Sequence, residues 1–312
     1  MTTRSSTLNL PWLLGGVVFL ALLLAFLLYF REDASPARQL SDKASRVDVV
    51  ARMQLGLASE SEAEKSAVLA ITDKDSQTFA DQARAATSEG ERDRQEIGSM
   101  LAASGTQREK DLLAQFTEAF SRLKSLDEEV LGLAVKSTNL KAYSLLFGAA
   151  ASTLAEMDAS LARVIAKHPD ATSAKRVMPM AFGARLGVLR IQALLAPHIA
   201  EENDAKMDQM EASMGKEAAA VRKDLDGLAA LAELAADADV TAALSQFGQY
   251  EKVKTQILSL SRANTNVRSL ALSLNQKRKA TAVCLDALSA LKAAILEEPI
   301  AGVTYGRPAK PR

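Results

Sequence analysis

Several residue types are nearly missing from this chain, and each shortage excludes something. Among 312 residues there is one cysteine, so an internal disulfide framework and cysteine-rich zinc or iron–sulfur sites are out. Two histidines leave little for a histidine-built metal site or a general base. Aromatics are 4 % of the chain, and β-branched residues are sparse beside Ala, Leu, Glu, Lys and Arg, which favours helix over sheet. There is no charge excess of either sign: 38 Lys plus Arg balance 38 Asp plus Glu. A neutral chain lacks the basic surplus that displaces counterions from phosphates, so nucleic acid is not an expected partner. No strand-to-helix glycine loop, nucleophile elbow or His-Glu-x-x-His motif is present. The expectation is a protein that is not an enzyme, with no cofactor, no catalytic residues and no bound metal.

One long uncharged run is present. Residues 12–30, WLLGGVVFLALLLAFLLYF, would span ~28 Å as a helix, close to the hydrocarbon thickness of a bilayer. Trp12 and Tyr29 fall near its ends, where amphipathic rings prefer the interface. A cleaved signal peptide is the rival, but its apolar core is usually ~7–15 residues and ends at small residues. Here the run ends in Arg31-Glu32-Asp33. A single-pass anchor is the favoured reading, with residues 1–34 as anchor. Arg4 precedes the run, whereas Arg31, Arg38, Lys43 and Arg46 follow it. Counted literally, these charges would hold the bulk of the chain inside; acidic residues are interleaved, and long domains translocate regardless of such charges.

Proline punctuates the rest. None lies between Pro36 and Pro169 or between Pro197 and Pro299, which suggests two helical modules and a junction containing Pro169, Pro179 and Pro197. Leu112, Phe116, Ala119, Leu123, Leu126, Val130 and Leu133 alternate at four and three residues. Leu140, Tyr143, Phe147, Ala150, Leu154, Met157, Leu161 and Val164 do the same. Both are the seams of left-handed helical bundles. A shift of 127 residues superimposes Thr138-Asn139 on Thr265-Asn266 and Leu133 on Leu260, and leaves six of eight second-seam positions apolar. An ungapped frame kept over two helices reads as an internal duplication.

The predicted helices are 37–72, 75–103, 106–136 and 139–167, then 173–200, 202–232, 238–263 and 266–297. The predicted architecture is all-α: the N-terminal transmembrane helix, then two tandem four-helix bundles at 35–168 and 169–298, then a disordered tail at 299–312. Gly132, Gly148, Gly187 and Gly215 fall inside helices, as expected at close helix contacts.

Residues 64–165 resemble the four-helix-bundle sensor domain of bacterial chemoreceptors, the methyl-accepting chemotaxis proteins. The residues that carry this are Glu64-Lys65-Ser66-Ala67-Val68-Leu69-Ala70, Phe79-Ala80, and Leu131-Gly132-Leu133-Ala134 leading to Ser137-Thr138-Asn139-Leu140-Lys141-Ala142. Unlike such receptors, the chain has no second transmembrane run and no signalling coiled coil. The resemblance implies a module in the bacterial inner membrane, mostly periplasmic, that senses a small-molecule ligand or engages another membrane or envelope protein. The alternative is a structural docking protein of an envelope apparatus such as a pilus, secretion or motility complex.

Three residues are ligand-binding candidates. Asn139 and Asn266 either contact a ligand or, the favoured reading, cap the start of a fourth helix. Lys277 falls on the second seam. It either binds a carboxylate between helices or, the favoured reading, snorkels to water. Cys284 is expected as a buried thiol. His168 and His198 could share a metal only if the junction folds back, and two ligands make a poor site.

Overall fold

The computed structural model describes residues 19–23, 25, 35–300 and 303. The helices are α1 (Pro36–Leu69), α2 (Asp73–Ser104), α3 (Gln107–Ala134), α4 (Thr138–Leu145), α5 (Ala151–Ala166), α6 (Ala171–Ala200), α7 (Asp204–Ala230), α8 (Ala238–Ala263), α9 (Thr265–Leu272) and α10 (Arg278–Glu297). Single π-turns at Leu146–Ala150 and Ser273–Lys277 join α4 to α5 and α9 to α10. No strand occurs among the described residues, so the all-α reading holds. The anchor at 12–30 and the tail at 299–312 lie largely outside the described residues. Among the described residues no helix is long and apolar enough to cross a membrane.

Local chemistry accounts for the helix starts. Thr106 and Glu109 form a reciprocal capping box: Glu109 N–H donates to Thr106 Oγ1 at 3.2 Å, and Thr106 N–H donates to Glu109 Oε2 at 2.7 Å. Asp170, Asn203 and Asp237 accept from the first backbone N–H groups of α6, α7 and α8. Pro169 lies in the break before α6, but Pro179 and Pro197 lie within that helix, so the proline cluster is not a junction. Both are on its solvent face, where water can serve the carbonyl that proline leaves without a partner.

The compact units do not follow the two sequence blocks. Unit 1 comprises 1–58, 86–121 and 281–312; unit 2 comprises 59–85 and 122–280. The expected tandem bundles at 35–168 and 169–298 do not coincide with these units. α5 packs on α8 and α6, elements of the second block. In the same way, residues of α10 bond to α1 and α3: Gln54 to Ser289 and Arg108 to Glu297. α8 and α9 are separated by Asn264 alone, too short to turn the chain back on itself, and α10 packs on the first repeat.

In unit 2 a continuous core runs through α4 to α8, with Leu146, Met157, Leu161, Ile191, Leu195, Leu225, Phe247, Tyr250 and Ile257 buried. Gly187 is a close contact between α6 and α7, since a Cβ there would meet Val221 at 2.5 Å. A Cβ at Gly132, Gly148 or Gly215 would meet nothing within 4 Å, so these three are not close helix contacts. In unit 1, Val49, Met53, Ile97, Leu101, Phe116, Phe120, Cys284 and Leu288 are buried. Phe116 and Phe120 stack with ring centres 5.3 Å apart.

The buried stripes keep Phe116, Leu123 and Val130 of the first predicted seam and Ala150, Met157, Leu161 and Val164 of the second, and take a neighbouring residue at other positions. On α3 they are Leu113, Phe116, Phe120, Leu123, Asp127, Val130 and Ala134, which leaves Leu133 and its counterpart Leu260 half-buried. Phe147 and Leu274, both placed on seams by the sequence, are 71 % and 50 % exposed. They occupy the same position of the two π-turns, where Leu146 and Ser273 take the inward place. Phe147→Ser and Leu274→Ser are each expected to change unfolding free energy by no more than about 0.5 kcal/mol, as surface substitutions do. Denaturant unfolding checks this; a loss above ~2 kcal/mol would return these residues to the core.

Candidate functional site

Among the described non-glycine residues, positive φ occurs at Ser137 (48°) and Asn264 (52°). They are related by the 127-residue shift, as are the two π-turns. Directly after them two helix starts face each other. Thr138 N–H donates to Thr265 Oγ1 and Thr265 N–H donates to Thr138 Oγ1, both at 3.1 Å. Asn139 N–H donates to Asn266 Oδ1 at 3.1 Å, and Asn266 N–H donates to Asn139 Oδ1 at 3.2 Å. Asn139 and Asn266 thus cap helices, but each caps the other repeat's helix rather than its own. Four backbone donors that a helix start leaves without intrahelical partners are satisfied in this exchange. These donors are therefore not open to an anion.

The joint is symmetric in its backbone and asymmetric in its side chains. Asn139 also donates through Nδ2 to Ile199 O at 2.6 Å and to Asn264 Oδ1 at 2.8 Å. Asn264 Nδ2 in turn donates to Glu201 O at 2.8 Å. The C-terminal end of α6 is thereby tied to the joint.

Lys277, the last residue of the second π-turn, does not snorkel. It is 1 % exposed, and its ammonium is ringed by Glu60 and Glu64 of α1 and Asp127 of α3. Nζ lies 2.9 Å from Glu64 Oε2 and 2.8 Å from Asp127 Oδ1, and it also bonds Glu60 Oε1. Lys277 binds carboxylates between helices, but they are the chain's own. Burial opposes its charge, yet the three carboxylates outweigh burial and raise its pKa. It is held as an ammonium, which is no nucleophile. Glu60 moves the other way: burial, and then the neighbouring acid Asp127, push its carboxyl up to about 8 against the pull of Lys277. Glu60 Oε2 and Glu64 Oε1 are buried without a hydrogen-bond partner.

Composition and spacing did not point to these acids. In α1 the buried stripe reads Val49, Val50, Met53, Leu57, Glu60, Glu64, Ala67 and Val68. The available signal was two glutamates four residues apart continuing an apolar stripe, with Asp127 doing the same on α3.

A second buried polar chain closes the end of α6. His198 Nδ1 is 2.8 Å from Ser261 Oγ, and its Nε2 is 2.9 Å from Glu211 Oε1, which also accepts from Arg262 at 2.7 Å. The order Ser–His–Glu is that of an acyl-transfer triad, but the chemistry is not. Ser261 is fully buried, and its hydroxyl donates to the His198 carbonyl at 2.9 Å. A nucleophile must donate to its base and reach a substrate. Burial, the main influence, lowers the His198 pKa. With both ring nitrogens engaged, His198 does not join His168, and the described residues contain no group able to hold a metal.

No family model matches the chain, and no curated protein matches it.

Proposed function

We propose that this is a membrane-anchored, non-enzymatic helical module of the bacterial inner membrane, mostly periplasmic, that senses a ligand through a change in helix packing. The observation that carries the reading is the cross-capped joint. Residues 131–142, which carry the likeness to chemoreceptor sensor domains, build one side of it, and residues of the second repeat build the other. Two helix starts that cap each other make a coupled element: a shift of one withdraws the hydrogen-bond partners of the other. The uncharged run at 12–30 supports the anchor, and Phe19, Leu20 and Leu22 are exposed helical residues within it.

The test is a thermal-shift screen of the full chain in detergent, with the single cysteine, buried Cys284, as thiol reporter of unfolding. A ligand at 100 times its Kd stabilises by about 2.7 kcal/mol, a shift of several degrees. Chains that lack 12–30 should leave the membrane fraction. A screen without any shift, or a truncated chain that stays in the membrane, would defeat the reading.

The exposed apolar side chains Met178, Phe182, Leu186 and Leu189 along one side of α6 favour the second reading, a docking protein of an envelope complex. In that case Phe182→Glu should release the chain from a co-purified complex without lowering its melting temperature.

A further inference from the structure

The arithmetic of the Lys277 cluster does not close. Three carboxylates surround one ammonium, and all four side chains are 3 % exposed or less. With every acid ionised the site holds two negative charges in excess, in a place where water cannot screen them. Burying an uncompensated charge is costly enough that such a group takes a proton instead. Glu60 Oε2 is buried without a hydrogen-bond partner, so an ionised Glu60 would hold a charged oxygen that nothing there stabilises. α2 contributes Ala80 and Ala83 to the adjacent core, and its Arg84 is turned to Asp81 and Glu128 at the exposed edge.

We propose that the Lys277 cluster is a proton-binding site: the folded core takes up one proton, on Glu60, and its release weakens the packing of α1 and α3 on the second π-turn. The inference is independent of the membrane and sensor readings, because it needs only the four side chains.

The sign follows from linkage. In the fold Glu60 keeps its proton up to about pH 8, against an ordinary value of 4.5 in the unfolded chain. Across that window the folded state binds one more proton than the unfolded state. Stability is therefore greatest below the lower value, falls as pH rises, and levels off above about 8. Glu60→Gln keeps the shape, lets its oxygen accept from Lys277, and cannot titrate.

The experiment is denaturant unfolding of the full chain in detergent, wild type against Glu60→Gln, as a function of pH. One linked proton changes the folding equilibrium about tenfold per pH unit. From about pH 5.5 to about pH 7.5, the wild type should lose about 100-fold relative to the variant. Infrared spectroscopy of the same samples gives a second measurement that does not depend on the variant's stability. The carbonyl band of a buried protonated acid should be present in the wild type at pH 7, fade by about pH 9.5, and be missing from Glu60→Gln. Parallel stability profiles for the two proteins would overturn the proposal. So would absence of the band from the wild type at pH 7, or its persistence in the variant. If Glu60→Gln does not fold, the wild-type band alone decides: fading with pH supports the site and absence at pH 7 rejects it.

Discussion

Lys277→Met is expected to destabilise the protein by about 3–5 kcal/mol at neutral pH, the usual consequence of removing one partner from a buried ionic group. The volume is nearly kept, so the loss is electrostatic rather than a cavity. Glu64 loses an ammonium 2.9 Å away and Asp127 one 2.8 Å away, while Glu60 loses the only attraction that opposes its neutralisation. The three acids must then take up protons to stay buried, so the deficit should shrink as pH falls. Adding Glu60→Gln, Glu64→Gln and Asp127→Asn to Lys277→Met should recover most of the loss, since a buried ionic group replaced as a whole is often close to neutral. Urea midpoints at pH 5 and pH 8 check both halves. A single variant that melts within a degree of wild type at both pH values would mean that the four charges do not meet in the core.

The helices were legible in the sequence because capping and proline rules act locally. Asp170, Asn203 and Asp237 are found at starts predicted within a few residues. The repeat was legible because its frame is ungapped, and the structure deepens it: the left-handed residues and the π-turns obey the same shift. Three things were not legible. The apolar seam was placed on Leu112, Leu126 and Leu133, whereas Leu113, Asp127 and Ala134 are the buried residues. A count of apolar residues alone prefers three leucines to a stripe with an aspartate in it, and the charged core was lost in that choice. The π-turns could not be foreseen. Each carries a 5-residue turn that leaves Phe147 and Leu274 facing outwards in spite of their spacing. The pairing of helices was also hidden. A break of one residue at Asn264 looks in sequence like any turn between antiparallel neighbours, although it lacks the length to make one.

Asn139→Ala is expected to cost about 3 kcal/mol and Asn266→Ala about 1 kcal/mol, although the two residues are equivalents in the repeat. The backbone half of the joint treats them alike, since each side-chain oxygen accepts one N–H from the other repeat. The difference lies in what else each amide does. Truncating Asn139 leaves Ile199 O, Asn264 Oδ1 and the Asn266 N–H without the partner they now have, in a place where Asn139 is 4 % exposed. Each buried group so orphaned costs about 1–3 kcal/mol. Truncating Asn266, which is half-buried, orphans the Asn139 N–H, and water can reach its surroundings. Asn139→Asp separates donor loss from loss of shape. It keeps the oxygen that caps the second repeat but turns the Nδ2 donor into an acceptor facing Ile199 O and Asn264 Oδ1. At neutral pH it should be at least as damaging as alanine, and it should recover as pH falls and the carboxyl gains a proton to donate. In a double-mutant cycle the two alanine substitutions remove different bonds, since each side-chain oxygen accepts a backbone N–H that the other substitution keeps; they should fall short of additivity to the extent that losing one cap already loosens the joint the other holds. Equal losses at 139 and 266, with strict additivity, would mean that the two helix starts are held by their own repeats and do not cap each other.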